Sequence, residues 1–103
     1  VEGGVAGPDV TGPRTHRLKT WPEYYQALFE GAKTFEARRD DRGFQEGDFL
    51  HLVEWDPVKE MATGRYMLKR VGFVLRGGSF GVREGFAVLS LLPPNSSSAN
   101  PPA

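Results

Sequence analysis

The stretch Gly31-Ala-Lys-Thr-Phe-Glu-Ala-Arg-Arg39 decides how this chain reads, because a helix ends and a strand begins inside it. Gly31 stands where a helix C-terminus calls for positive φ. From Phe35 onward the residues alternate: Phe35 and Ala37 share one face of a strand, Glu36 and Arg38 the other. Lys33 falls in the joint between the two elements. An ammonium, a carboxylate and a guanidinium are thus gathered at one helix–strand corner. That corner is the candidate site.

Upstream, Thr15-His-Arg-Leu-Lys19 reads as a first strand, with Leu18 inward and Arg17 and Lys19 on the opposite face. Thr20-Trp-Pro-Glu23 has the form of a capping box: Thr20 would cap, Pro22 sits in the first turn, and Glu23 reaches back. Trp21, Tyr24, Tyr25 and Leu28 then fall at helical spacing through Glu30. A helix this short is unstable alone, so tertiary packing must hold it.

Downstream, Arg39-Asp-Asp-Arg-Gly43 is a turn whose charges are expected to compensate one another. Phe44 to Gly47 forms a second turn, and Asp48 to Trp55 a strand. Asp56-Pro57 opens a loop expected to last to Gly64, followed by a long strand from Arg65 to Leu75 in which Gly72 marks a bend or bulge. Gly77-Gly-Ser-Phe-Gly81 is a connection placed over the barrel mouth, and Phe86 to Leu92 is the last strand, stopped by Pro93-Pro94. The order is β-α-β-β-β-β. One helix cannot cover both faces of five twisted strands. The predicted fold class is therefore α+β, mainly β: a partly closed β-barrel of about five strands, with one helix between strands 1 and 2.

Residues 1–13 and 93–103 are rich in Gly, Pro, Ser and Asn and poor in large apolar groups. Both are expected to be flexible tails flanking one folded domain at 14–92. The chain of 103 residues carries 13 basic and 13 acidic groups, so no global field points to a nucleic acid or a membrane. Within 14–92 all thirteen cations face eleven carboxylates, a weak basic bias. The absence of cysteine excludes disulfides, thiol catalysis and thiolate metal sites. His16 and His51 are too far apart to give a metal-ligand spacing, and no metal or cofactor is implied. No apolar run reaches the roughly 20 residues of a membrane span, and a soluble cytoplasmic protein is the expectation.

Gly31-x-Lys33-x-x-Glu36-x-Arg38 resembles the Gly-x-Lys-x-x-Glu-x-Arg signature of the ASCH superfamily, relatives of the PUA-like RNA-binding barrels. Leu18-Lys19 before the helix and Arg42-x-Phe44-x-x-Gly47-Asp48 after the signature extend the likeness to a bacterial and phage subfamily of unknown function. It covers roughly residues 15–92. The resemblance implies a PUA-like barrel with a cleft between helix and strands, lined by the signature Lys, Glu and Arg, in a superfamily proposed to bind RNA. One bacterial branch of similar size hydrolyses acetylcytidine through a Lys–Thr–Glu arrangement, and ribonuclease activity is attributed to another member. In the hydrolase branch a Thr stands three residues after the Lys. Here Glu36 occupies that place, and the nucleophile is missing.

The expected function is an RNA- or nucleotide-binding module. Lys33, Arg38 and Lys19 would meet phosphate, as a point charge or a planar fork, and Glu36 would orient Arg38 or read a base edge. Arg42 joins the binding set through the resemblance, and Tyr24 as a ring able to stack a base, although aromatics at helical spacing more often fill a core. Trp21, Tyr25 and Trp55 share that ambiguity. The plain alternative for Glu36 and Arg38 is an exposed ion pair worth about 0–1 kcal/mol with no function. Two further functions are carried: a small hydrolase acting on a modified nucleoside or on RNA, with Lys33 and Glu36 as its acid–base pair, and a protein-interaction domain.

Overall fold

Strand β1 (Thr15–Thr20) alternates strictly, burying His16, Leu18 and Thr20 and exposing Thr15, Arg17 and Lys19. The structure, a computed structural model, describes residues 12–96. Most of both expected tails lies outside these residues. Within them, Ser96 turns back, its amide donating to the Pro93 carbonyl at 3.0 Å while Arg70 donates to the Ser96 carbonyl at 3.0 Å.

Helix α1 (Pro22–Glu30) follows at once. Gly31 ends it at φ 85°, its amide donating to the Leu28 carbonyl. The start differs from the capping-box expectation. Thr20 is the last residue of β1 and points inward, so Trp21 takes the N-cap position and no side chain caps the helix. Pro22 reduces the cost, because it has no amide hydrogen to satisfy. Tyr25 and Leu28 form the buried face, whereas Trp21 and Tyr24 are about half exposed.

The remaining strands are β2 (Phe35–Arg39), β3 (Phe49–Asp56), β4 (Met61–Arg76) and β5 (Phe86–Leu92). They form one sheet in the order β1-β3-β4-β5-β2, parallel only between β1 and β3. The sheet curls into a partly closed barrel, and its interior holds Leu18, Leu28, Phe44, Leu50, Leu52, Val71, Ala87 and Leu89. Strand β4 begins earlier than its sequence suggested. Asp56 accepts the amides of Val58 and Lys59 at 2.9 and 3.1 Å, closing a tight turn from which the chain re-enters the sheet at Met61. Gly72 does mark an irregularity, since the β4–β5 register shifts between Val71 and Val74. The slip turns Val74 toward the core and leaves Phe73 exposed.

Candidate functional site

Glu36 is the centre of the site, and it points inward. Strand alternation put Glu36 and Arg38 on one face; the structure makes that the concave one, with Glu36 buried and Phe35 exposed. Burying a carboxylate without partners is costly, and here both oxygens are met. Lys33, leaving the helix–strand joint, donates from Nζ to Oε1 at 2.5 Å and to the Phe35 carbonyl at 2.7 Å. Arg38 donates to Oε2 through Nε at 3.0 Å and Nη2 at 2.9 Å. The pair is therefore not an exposed surface bridge.

Arg38 also spans the opening of the barrel. Its Nη2 donates to the Lys19 carbonyl at 2.7 Å and approaches the Thr20 hydroxyl at 3.5 Å. Those residues belong to β1, at the opposite end of the sheet order from β2. Arg42 repeats the contact one step along, donating from Nη1 to the Arg17 carbonyl at 3.0 Å. Arg14 returns it, donating to the carbonyls of Arg42 and Gly43 at 2.8 and 3.1 Å. Three guanidinium groups thus close a seam that has no strand-to-strand ladder. The turn at Arg39–Gly43 is compensated internally only in part: Arg42 pairs with Asp41 at 4.0 Å, whereas Asp40 pairs outside the turn with Arg76 at 2.7 Å.

At one end of this seam lies a hollow of about 540 Å³, within the range usual for small-ligand sites. Lys19, Lys33, Arg38 and Arg39 supply its cations, and Glu36 its single carboxylate. Trp21, Tyr24, Phe35 and Phe86 supply aromatic walls. Lys33 Nζ lies 4.8 Å from the Phe35 ring centre and 5.9 Å from that of Tyr24. Lys19 Nζ sits 4.0 Å over Trp55, and Arg39 lies 5.2 Å over Phe86. Among the described residues neither Lys19 nor Arg39 pairs with a carboxylate.

Of the residues chosen from sequence, Lys19, Tyr24, Lys33, Glu36 and Arg38 come together in the hollow. Arg42 does not line it; its side chain works on the seam instead. Sequence reasoning missed Phe35, Arg39 and Phe86 as site residues. Once Glu36 is known to face inward, alternation itself turns Phe35 outward to the hollow. Phe86 had no local signal, because it arrives by pairing with Arg39 across β2 and β5.

A second polar cluster is structural. Asp48 is buried and accepts the Arg14 amide at 3.1 Å and the Gln45 amide at 3.0 Å; its Oδ2 lies 2.8 Å from His16 Nε2. The His16 ring meets Phe44 edge-on at 4.9 Å between centres. This set pins the loop before β3 to the start of β1. Elsewhere, the Asp56 carboxyl is held below its ordinary pKa by the Lys59 and Val58 amides that donate to it. Among the described residues no His, Asp and Glu groups gather as a metal site, and no helix is long and apolar enough to cross a membrane.

Comparison with known proteins relates the sequence to others. Over 58 residues the chain is 36% identical to an uncharacterized 12.9 kDa protein in the GpA 3′ region of Escherichia phage P2; the match covers 56% of this chain and 51% of the phage protein. The chain therefore spans about half the length of that relative. Residues 15–91, from the first residue of β1 to within one residue of the end of β5, match the domain of unknown function DUF3850, and the chain belongs to that family.

Proposed function

We propose that this protein is an ASCH-like, PUA-like module that binds RNA or a nucleotide in the hollow at the seam. The observation that carries the reading is the composition of that hollow: four cations against one carboxylate, walled by aromatic rings. Phosphate needs positive charge, and a base needs a flat apolar surface; a nucleotide is the common ligand that needs both at once. Lys19 and Arg39 are the cations best placed for phosphate, because Glu36 partly neutralises Lys33 and Arg38. Trp21 and Tyr24 offer exposed ring faces for stacking.

The geometry favours binding over hydrolysis at Glu36. A general base needs a free lone pair directed at the reacting proton. Oε2 already accepts two charge-assisted hydrogen bonds from Arg38 and Oε1 one from Lys33, so a general base here would have to work through the second lone pair of Oε1, beside the Lys33 ammonium. Glu36 is better suited to aiming Lys33 and Arg38.

Amide-resolved NMR titration with the four ribonucleoside monophosphates tests the proposal. Shift changes should cluster on residues 19–24 and 33–39. Trp21→Ala/Tyr24→Ala and Lys33→Gln should each weaken binding at least about fivefold. Wild-type spectra unchanged by millimolar nucleotide and by short oligoribonucleotides at low salt would sink the reading.

A further inference from the structure

We infer that the ligand is a single strand, and that it continues from the hollow onto the outer face of β1, β3 and β4, where Tyr66 and His51 form a second base subsite. This rests on the nucleotide-binding reading of the hollow and extends it from one nucleotide to at least two.

The register defines that outer face. Arg17 lies beside His51, Lys19 beside Val53, and Val53 beside Tyr66. Paired residues on neighbouring strands project to the same side. A sheet normally turns polar side chains to water, so exposed rings on this side need an explanation. Tyr66 is 64% exposed and stands at 90° to His51, ring centres 5.0 Å apart. The two rings border a second cavity of about 310 Å³, which Arg17 also lines.

Charge complementarity selects the occupant. Arg17 and Lys19 project from β1; Arg70, from β4, lies 4.6 Å from the Phe49 ring centre but already donates to the Gly47 and Ser96 carbonyls, so Arg17 and Lys19 are the cations left for a ligand. Glu54, the carboxylate within β3 nearest these residues, points to the other side, buried and accepting from Thr63 at 2.6 Å. The face therefore pairs cations with rings, and Glu54 does not offset their charge. A protein partner's apolar patch would leave those cations unmet. A polyanion with stackable bases meets both.

Lys19 joins the two subsites. It lines the hollow and lies 4.0 Å over Trp55 on the outer face. Arg17 follows two residues away on the same face, about 6.6 Å along the strand. That step is comparable to the separation of successive phosphates in an extended single strand. A backbone tracking Lys19 and then Arg17 leaves one base at Trp21 and Tyr24 and the next against Tyr66.

The test uses the full chain with fluorescein-labelled oligouridylates of one, two, four and six nucleotides, and fluorescence anisotropy as the readout. Wild-type affinity should rise with length. Tyr66→Ala and Arg17→Ala change exposed side chains and should leave the fold intact, which circular dichroism checks. Each should weaken hexanucleotide binding at least about fivefold while leaving the mononucleotide unchanged. Arg17→Ala should also lower the salt slope by about 0.7. Hexanucleotide affinity unchanged by both variants, yet reduced by Lys33→Gln, overturns the second subsite and leaves the hollow standing. No binding at any length overturns both. A hexanucleotide binding no tighter than the mononucleotide overturns the extension alone.

Discussion

Arg38 Nη2 donates to the carbonyl of Lys19 at 2.7 Å and so ties β2 to β1, the two strands farthest apart in the sheet order. The same guanidinium holds Oε2 of Glu36 with two donors. One side chain therefore both closes the barrel and shapes the floor of the hollow. Arg38→Ala should cost about 2–4 kcal/mol, because it leaves a buried carboxylate with one partner and frees the seam. Arg38→Lys should recover little, since an ammonium cannot present the planar fork that reaches both acceptors. Urea unfolding of the two variants measures the difference.

Replacing Glu36 with Gln keeps the shape and removes the charge that Lys33 and Arg38 share. Stability should fall by about 1–3 kcal/mol, because the amide oxygen can accept from only one of the two cations while the amide nitrogen, itself a donor, faces the other. Affinity for nucleoside monophosphate should rise severalfold, because the hollow becomes more positive. Calorimetry decides the point: a loss of more than tenfold would mean that Glu36 touches the ligand itself.

Asp48 satisfies two backbone amides and His16 from a buried position. Asp48→Ala orphans all three donors and should destabilise the fold by about 3 kcal/mol or more. Nucleotide affinity of the folded fraction should stay as in the wild type, because Asp48 does not line the hollow. Thermal melts paired with titrations at low temperature separate the two effects.

Asp56 carries a pH signature. Its folded pKa lies below the ordinary value, because the Lys59 and Val58 amides donate to the ionised form. The stabilisation is therefore present above the ordinary carboxylate pKa and is lost as pH falls through the lower, folded value. Asp56→Ala should be less stable than wild type at neutral pH, and the gap should close in acid. Denaturation midpoints collected from pH 7 down to pH 2.5 would show the convergence; a constant gap would contradict it.

Gly77 is fixed by space. A Cβ there would lie 1.9 Å from the Arg83 carbonyl oxygen, a backbone atom that cannot rotate away. Gly77→Ala should cost more than about 2 kcal/mol by forcing the β4–β5 connection apart, readable as a lowered melting temperature.

Much of this was legible in the chain itself. Gly31 and the alternation after it gave the helix end and the strand, and Gly72 marked the register slip. The β-α-β-β-β-β order was readable because turn residues separate the elements cleanly. Four things were not. Alternation groups Glu36 with Arg38 but cannot say which side is inward; that depends on Arg38 finding Lys19 across the seam. Thr20-Trp-Pro-Glu23 satisfies a capping pattern, yet burial of Thr20 at the end of β1 outweighs the cap. The His16–Asp48 contact joins residues far apart in sequence, and Phe86 reaches the hollow only through sheet pairing. Local patterns fix elements and faces, whereas partners brought by topology leave no local trace.

The carbonyls of Arg17 and Lys19, both on the unpaired margin of β1, are already occupied by Arg42 and Arg38. An exposed margin of this kind otherwise recruits a strand from a neighbouring molecule. Here a stranger's amides would have to displace two guanidinium groups, one of them anchored on Glu36. The arrangement leaves that margin closed to a strand from another copy, so a chain lacking these arginines should be the one that aggregates.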